Sequence, residues 1–229
     1  MRLGPTAASG HPELGPRDID VLTWIGRYGI VRETQLAARF FRRDDGSVGA
    51  RSATNEVRKL EGLGLLIRAI PQAHHPTVLR ISDAGADLVD ADIRPAGWVP
   101  AELAHSLAVV DLMESLLAEH PGSSVVTERQ IRVARGHDDH AGPTHATGRV
   151  PDGVLVLKNG KRIAVELDLT AKRSPDVAAI IRTYQKHGDY SAVWWFVRPG
   201  VVARMTEVVK ESKASRLVEV HAWEGPVGV

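Results

Sequence analysis

With 229 residues, 43% hydrophobic and 25% charged, the chain has the composition of a globular protein, long enough for one large domain or two small ones. A formal net charge of +1 excludes a uniformly polycationic nucleic-acid binder, so any such affinity must come from local patches. No cysteine is present, which excludes disulfides, thiol catalysis and thiolate zinc sites; no apolar run reaches membrane-spanning length, so a cytoplasmic protein with no membrane partner is expected.

Residues 1–16 are rich in Gly, Pro, Ala and Ser and read as a flexible tail. From Arg17, Ile19, Leu22, Trp24 and Ile25 recur at helical spacing up to a Tyr28-Gly29 stop. After Ile30-Val31, a second helix is predicted over 33–41, with Leu36, Ala37, Phe40 and Phe41 on its apolar side. A polar loop over 42–46 leads into a third helix over 48–63, where Ala53, Val57 and Leu60 form the buried stripe. About half a turn away on that helix lie Arg51, Asn55 and Arg58, flanked by Lys59. Two short apolar stretches, 65–70 and 78–81, are separated by PQAHHPT, a loop of hairpin length. Ser82-Asp83 then caps a fourth helix over 84–90.

Three helices followed by a two-stranded wing resemble the winged helix-turn-helix plan, and RSATNEVRKLEGLGLLIRA resembles its recognition helix and the glycine turn into the wing. The resemblance spans residues 17–92. It implies double-stranded DNA as the partner and places the third helix in a major groove, with His74, His75 and Arg80 near the wing. Arg51 and Arg58 would meet guanine edges or phosphates, Asn55 would suit adenine, and Lys59 would add a nearby charge. Residues 39–59 hold six basic and three acidic side chains, although the segment 13–92 as a whole is not basic.

Residues 93–100, with two prolines and a glycine, read as a linker to a second domain over 101–229. A long helix is predicted over 101–120 with Leu103, Leu107, Val110 and Leu117 on its buried side; Pro121-Gly122 ends it. Alternation over 125–134 predicts a strand carrying Glu128, followed by a polar loop over 135–148 with His137, His140 and His145. Without cysteines, that histidine spacing is not specific for a metal. A helix over 177–188 with Pro175 in its first turn, an apolar strand AVWWFV over 192–197, a helix over 199–212 and a last strand over 217–223 complete the chain. Trp194, Trp195 and Trp223 fit core packing, since each lies in an apolar strand.

The stretch VPDGVLVLKNGKRIAVELDLTAK, residues 150–172, reads as two strands joined by a turn at Asn159-Gly160. Period-two alternation sends Ile163, Val165, Leu167 and Leu169 to one face and Glu166 and Asp168 to the other. Asp152 opens the partner strand and Lys172 follows the acidic pair, so three carboxylates and an amine are expected at one end of the hairpin. Side-by-side carboxylates in a partly buried strand need neutralising, either by a metal or by a cation such as Lys172, Arg162 or Arg173.

Pro151-Asp152, the run Val165-Glu166-Leu167-Asp168-Leu169-Thr170-Ala171-Lys172, and Tyr184-Gln185 on the next helix resemble the PD-(D/E)XK nuclease superfamily. The whole chain looks like the replication-relaxation type of protein of plasmids and integrative elements. The implied fold class is an α+β N-terminal winged helix-turn-helix followed by an α/β, restriction-endonuclease-like domain with a mixed sheet. The resemblance implies Mg2+ or Mn2+ on Asp152, Glu166 and Asp168, with Glu128 as a further candidate ligand and Lys172 assisting the catalytic water. Asp168 stands where the superfamily's lysine normally sits, so Lys172 would have to reach back from beyond the strand. His105 lies near a position where the family often has a histidine.

Two functions stay open on this resemblance. One is a DNA-binding protein whose nuclease-like domain nicks or cleaves DNA with Mg2+ during replication or transfer. The other is a transcriptional regulator or relaxosome accessory protein with an inactive domain used for dimerisation or partner binding. The implied partners are double-stranded DNA, a second copy of the chain and replication or transfer proteins.

Overall fold

Gly15 and Pro16 start the first helix. Asp18 accepts the Gly15 N–H at 2.6 Å, and Pro16 occupies the first turn, where a missing N–H costs nothing. Gly29, at φ +84°, stops the helix as the sequence predicts. The computed structural model describes residues 14–70, 77–89, 94–97, 100–136 and 149–226. Of the expected tail, 1–13 lies outside them, and Pro16 already belongs to α1.

Helices α1 (Pro16–Tyr28), α2 (Glu33–Phe40) and α3 (Ala50–Gly62) bury Leu22, Ile25, Leu36, Ala53, Val57 and Leu60 together. A two-residue strand, β1 (Val31–Arg32), joins β2 (Leu66–Ala69) and β3 (Val78–Ile81) in an antiparallel sheet of order β1-β3-β2. Two residues are too few to leave a periodic signal, so β1 was not legible in the sequence.

The short helix α4 (Asp83–Val89) begins at Ser82, whose Oγ accepts the Gly85 N–H at 3.0 Å and donates to the Gly64 carbonyl at 2.6 Å. A Cβ on Gly85 would collide with the Leu65 carbonyl and come within 2.8 Å of Ile81 Cγ1. Gly85→Ala is therefore expected to cost about 1–3 kcal/mol, since backbone must yield; an unchanged thermal midpoint would contradict this close approach.

Helix α5 (Leu103–Glu119) follows a single 3-10 turn, Pro100–Glu102. Its Leu103 and Leu107 pack with Ile30 and Val78, and Val110 joins the core of the first three helices. Its Ala108, Leu112, Met113 and Leu116 pack instead on the second sheet, beside Leu155, Val165 and Leu167. One helix thus serves two cores, which explains why it is apolar on more than one side. Polar bonds reinforce the junction: Asp111 pairs with Arg32 and accepts from Gln35, while Glu114 accepts from Trp24 Nε1 at 2.8 Å and Tyr28 Oη at 3.2 Å.

The second sheet runs β4 (Ser124–Thr127), β5 (Gly153–Val156), β6 (Arg162–Asp168), β7 (Ala192–Val197) and β8 (Val218–Ala222) in that spatial order. The first two pairings are antiparallel and the last two parallel, a mixed sheet as expected. Helices α7 (Ser174–His187) and α8 (Val202–Glu211) cover the face opposite α5.

The strand expected over 125–134 is half wrong: β4 stops at Thr127 and α6 (Glu128–Ala134) begins. Thr127 and Gln130 form a reciprocal cap, with the Thr127 N–H donating to Gln130 Oε1 at 3.0 Å and the Gln130 N–H to Thr127 Oγ1 at 3.4 Å. That cap outweighs the weak alternation. No helix among the described residues is long and apolar enough to cross a membrane.

Candidate functional site

Two groups of residues carry the expected chemistry. On α3, Arg51, Asn55 and Arg58 are exposed on one face, and neither arginine has an ion-pair partner among the described residues. The loop before α3 adds exposed Arg42 and Arg43. Lys59 departs from this set. Its Nζ donates to both oxygens of Asp18 at 2.6 Å, and Asp18 is only 3% exposed, so this amine ties α3 to α1. Arg80 turns toward residues 94–97, donating to the Ala96 carbonyl at 3.0 Å. His74 and His75 lie outside the described residues, as do His137, His140 and His145.

The second group sits where β5 and β6 meet. The hairpin forms as the sequence predicts: the Gly160 N–H donates to the Leu157 carbonyl at 2.8 Å, and Gly160 takes φ +80°. Ile163, Val165 and Leu167 face α5, while Glu166 and Asp168 face the α7 side. Asp152 Oδ2 accepts the Leu167 N–H at 2.8 Å, which brings its carboxylate to the strand segment holding the other two. The three acids reach one end of the hairpin, yet each has its own partners.

Glu166 is fully buried, and Arg149 grips it in bidentate fashion, Nε to Oε1 at 2.6 Å and Nη2 to Oε2 at 2.5 Å. Tyr184 donates its hydroxyl to the same Oε1. Burial pushes the Glu166 carboxyl above its usual range; Arg149 opposes that shift and the Asp152 charge adds to it. Arg149 itself is held more firmly protonated than usual, because Glu166 outweighs the cost of burial. Burial also raises the Tyr184 hydroxyl, and the Glu166 charge raises it further.

Asp168 pairs with Lys172 four residues on and accepts from Trp195 Nε1 at 3.1 Å. Asp152 Oδ1 lies 3.2 Å from His105 Nε2 on α5. Burial disfavours the protonated imidazole, but the hydrogen bond and charge of Asp152 prevail and raise its pKa. Glu128, expected on a strand, is the first residue of α6 and pairs with Arg132 at 2.5 Å. Burial raises its carboxyl against the pull of Arg132.

Four carboxylates thus each meet a basic side chain of the same chain: Asp152 the His105 imidazole, Glu166 Arg149, Asp168 Lys172 and Glu128 Arg132. No three His, Asp or Glu side chains among the described residues come together as a metal ion would require. As arranged, this donor set does not fit Mg2+ or Mn2+. A metal would have to displace a bidentate guanidinium from a buried carboxylate.

Sequence reasoning named His105 and Tyr184 but missed Arg149 and the bond from Trp195. Arg149 stands one residue before the 150–172 stretch; the need of a buried glutamate for a counter-ion was legible there, but not which cation would supply it. The replication-relaxation family model matches residues 22–196, more than half of the chain. No curated protein shows a significant match.

Proposed function

Because the chain belongs to the replication-relaxation family, we propose that it is a cytoplasmic DNA-binding protein acting in the replication or transfer of a mobile element. Its N-terminal unit contacts duplex DNA as a winged helix, and its nuclease-like C-terminal unit works without bound metal as a folding and partner-docking module. The observation that carries this reading is the outer face of α3, where Arg51, Asn55 and Arg58 stand together in solvent while neighbouring Lys59 is held by Asp18. Three helices with an antiparallel sheet of order β1-β3-β2 support the winged-helix assignment. The one-to-one pairing of the carboxylates favours binding over cleavage with Mg2+.

The test is duplex affinity by fluorescence anisotropy at several salt concentrations, in the presence of EDTA. Wild type binds, and the double variant R51A/R58A loses about two units of the slope of log Kd against log salt, close to one for each phosphate contact removed. A double variant with unchanged affinity and slope removes α3 from the interface. Binding that needs Mg2+ and is lost with E166Q points instead to a metal-dependent site.

A further inference from the structure

On α3, Glu56 and Lys59 occupy the flank turned toward α1, between the buried stripe and the exposed arginines. Asp18 of α1 is nearly inaccessible and takes three hydrogen bonds, one from the Gly15 N–H and two from Lys59 Nζ, each at 2.6 Å. Glu56 reaches the same carboxylate, but its Oε1 is buried with no donor among the described residues. The one ammonium in contact is spent on Asp18, so no cation bonds the second carboxylate directly. An acceptor without a donor beside another carboxylate is satisfied by a single proton between them.

We propose that Glu56 and Asp18 share a proton, that this proton holds α3 against α1, and that its loss weakens duplex binding, making DNA release proton-linked. The release half rests on the DNA-binding function proposed above; the shared proton does not. The charged groups facing Glu56 are Arg17 and Asp18 from α1 and Lys59 from its own helix. Arg17 lies over the Phe41 ring at 5.6 Å and is exposed to solvent. Lys59 is already bound to Asp18. Neither cation therefore replaces the proton without giving up another contact.

Burial, the hydrogen bond to Asp18 and its charge push the Glu56 carboxyl up to about 7 from an ordinary value of 4.5. Asp18 moves the other way: burial raises it, but the hydrogen bonds from Glu56, Lys59 and Gly15 together hold it below its usual value. The fold favours neutral Glu56. Its stabilising effect is therefore complete below pH 4.5 and is lost as pH rises through about 7. Ionised Glu56 also places a negative charge beside Asn55, on a helix that must approach phosphates, and competes with Asp18 for Lys59.

Duplex affinity and urea unfolding of wild type and E56Q, each followed from about pH 5.5 to about pH 8.5, test this. The amide substitutes for the protonated acid. Wild-type affinity is expected to fall about three- to tenfold relative to E56Q across that range, and its unfolding midpoint to fall with it. Comparing the two proteins cancels the titrating histidines that they share. Parallel profiles in both measurements overturn the proposal. If neither protein binds duplex at any pH, the DNA-binding function fails and takes the release half with it; the urea profiles still decide the shared proton.

Discussion

Replacing Arg149 by alanine is expected to destabilise the protein by about 3–5 kcal/mol, the usual cost of leaving a buried charge without its partner. Glu166 has no exposure to water, so its carboxylate cannot exchange the two lost guanidinium bonds for solvent. Among the described residues, only the Tyr184 hydroxyl would remain on it. The measurement is urea unfolding followed by circular dichroism at neutral pH, with R149A, E166Q and the double variant R149M/E166L. The apolar double variant is expected to recover most of the loss, because it removes the orphaned charge along with its partner. A loss below about 1 kcal/mol in R149A would show that the pair is solvated, as an exposed pair is.

The second large effect belongs to Trp195. Its ring is fully buried between the sheet and α7 and α8, and its indole N–H donates to Asp168 at 3.1 Å. Trp195→Ala is expected to cost about 3–5 kcal/mol by opening a cavity in that core. Trp195→Phe keeps most of the packing but leaves an acceptor of Asp168 without its donor, at a cost of about 1–3 kcal/mol. Thermal unfolding of both variants separates the two contributions. If phenylalanine costs nothing, the hydrogen bond to Asp168 adds no stability and the position is one of packing alone.

These expectations place the carboxylate cluster in a different light from the one its motif suggests. The resemblance drawn from the sequence makes Asp152, Glu166 and Asp168 expected metal ligands, while the partners found around them are His105, Arg149 and Lys172 of the same chain. Charge neutralisation of close carboxylates was required by the sequence; the identity of the neutralising group was not. Lys172 was nameable because it follows Asp168 by four residues. Arg149 was not, since its pairing with Glu166 depends on how the residues before β5 return across β6.

Local chemistry was legible wherever one element or turn decided the outcome. The helices of the N-terminal unit follow the spacing of Leu22, Leu36, Val57 and their neighbours; Asn159-Gly160 marks the hairpin, and alternation in β6 separates Ile163, Val165 and Leu167 from Glu166 and Asp168. These features depend on backbone sterics and a period of 2 or 3.6, which a linear sequence carries in full. Tertiary structure alone decided that α5 serves two cores, that Lys59 faces Asp18 rather than solvent, and that Arg149 closes on Glu166. Each of those outcomes joins groups distant along the chain. A buried charge selects its counter-ion by proximity in space, and spacing in sequence does not encode that distance.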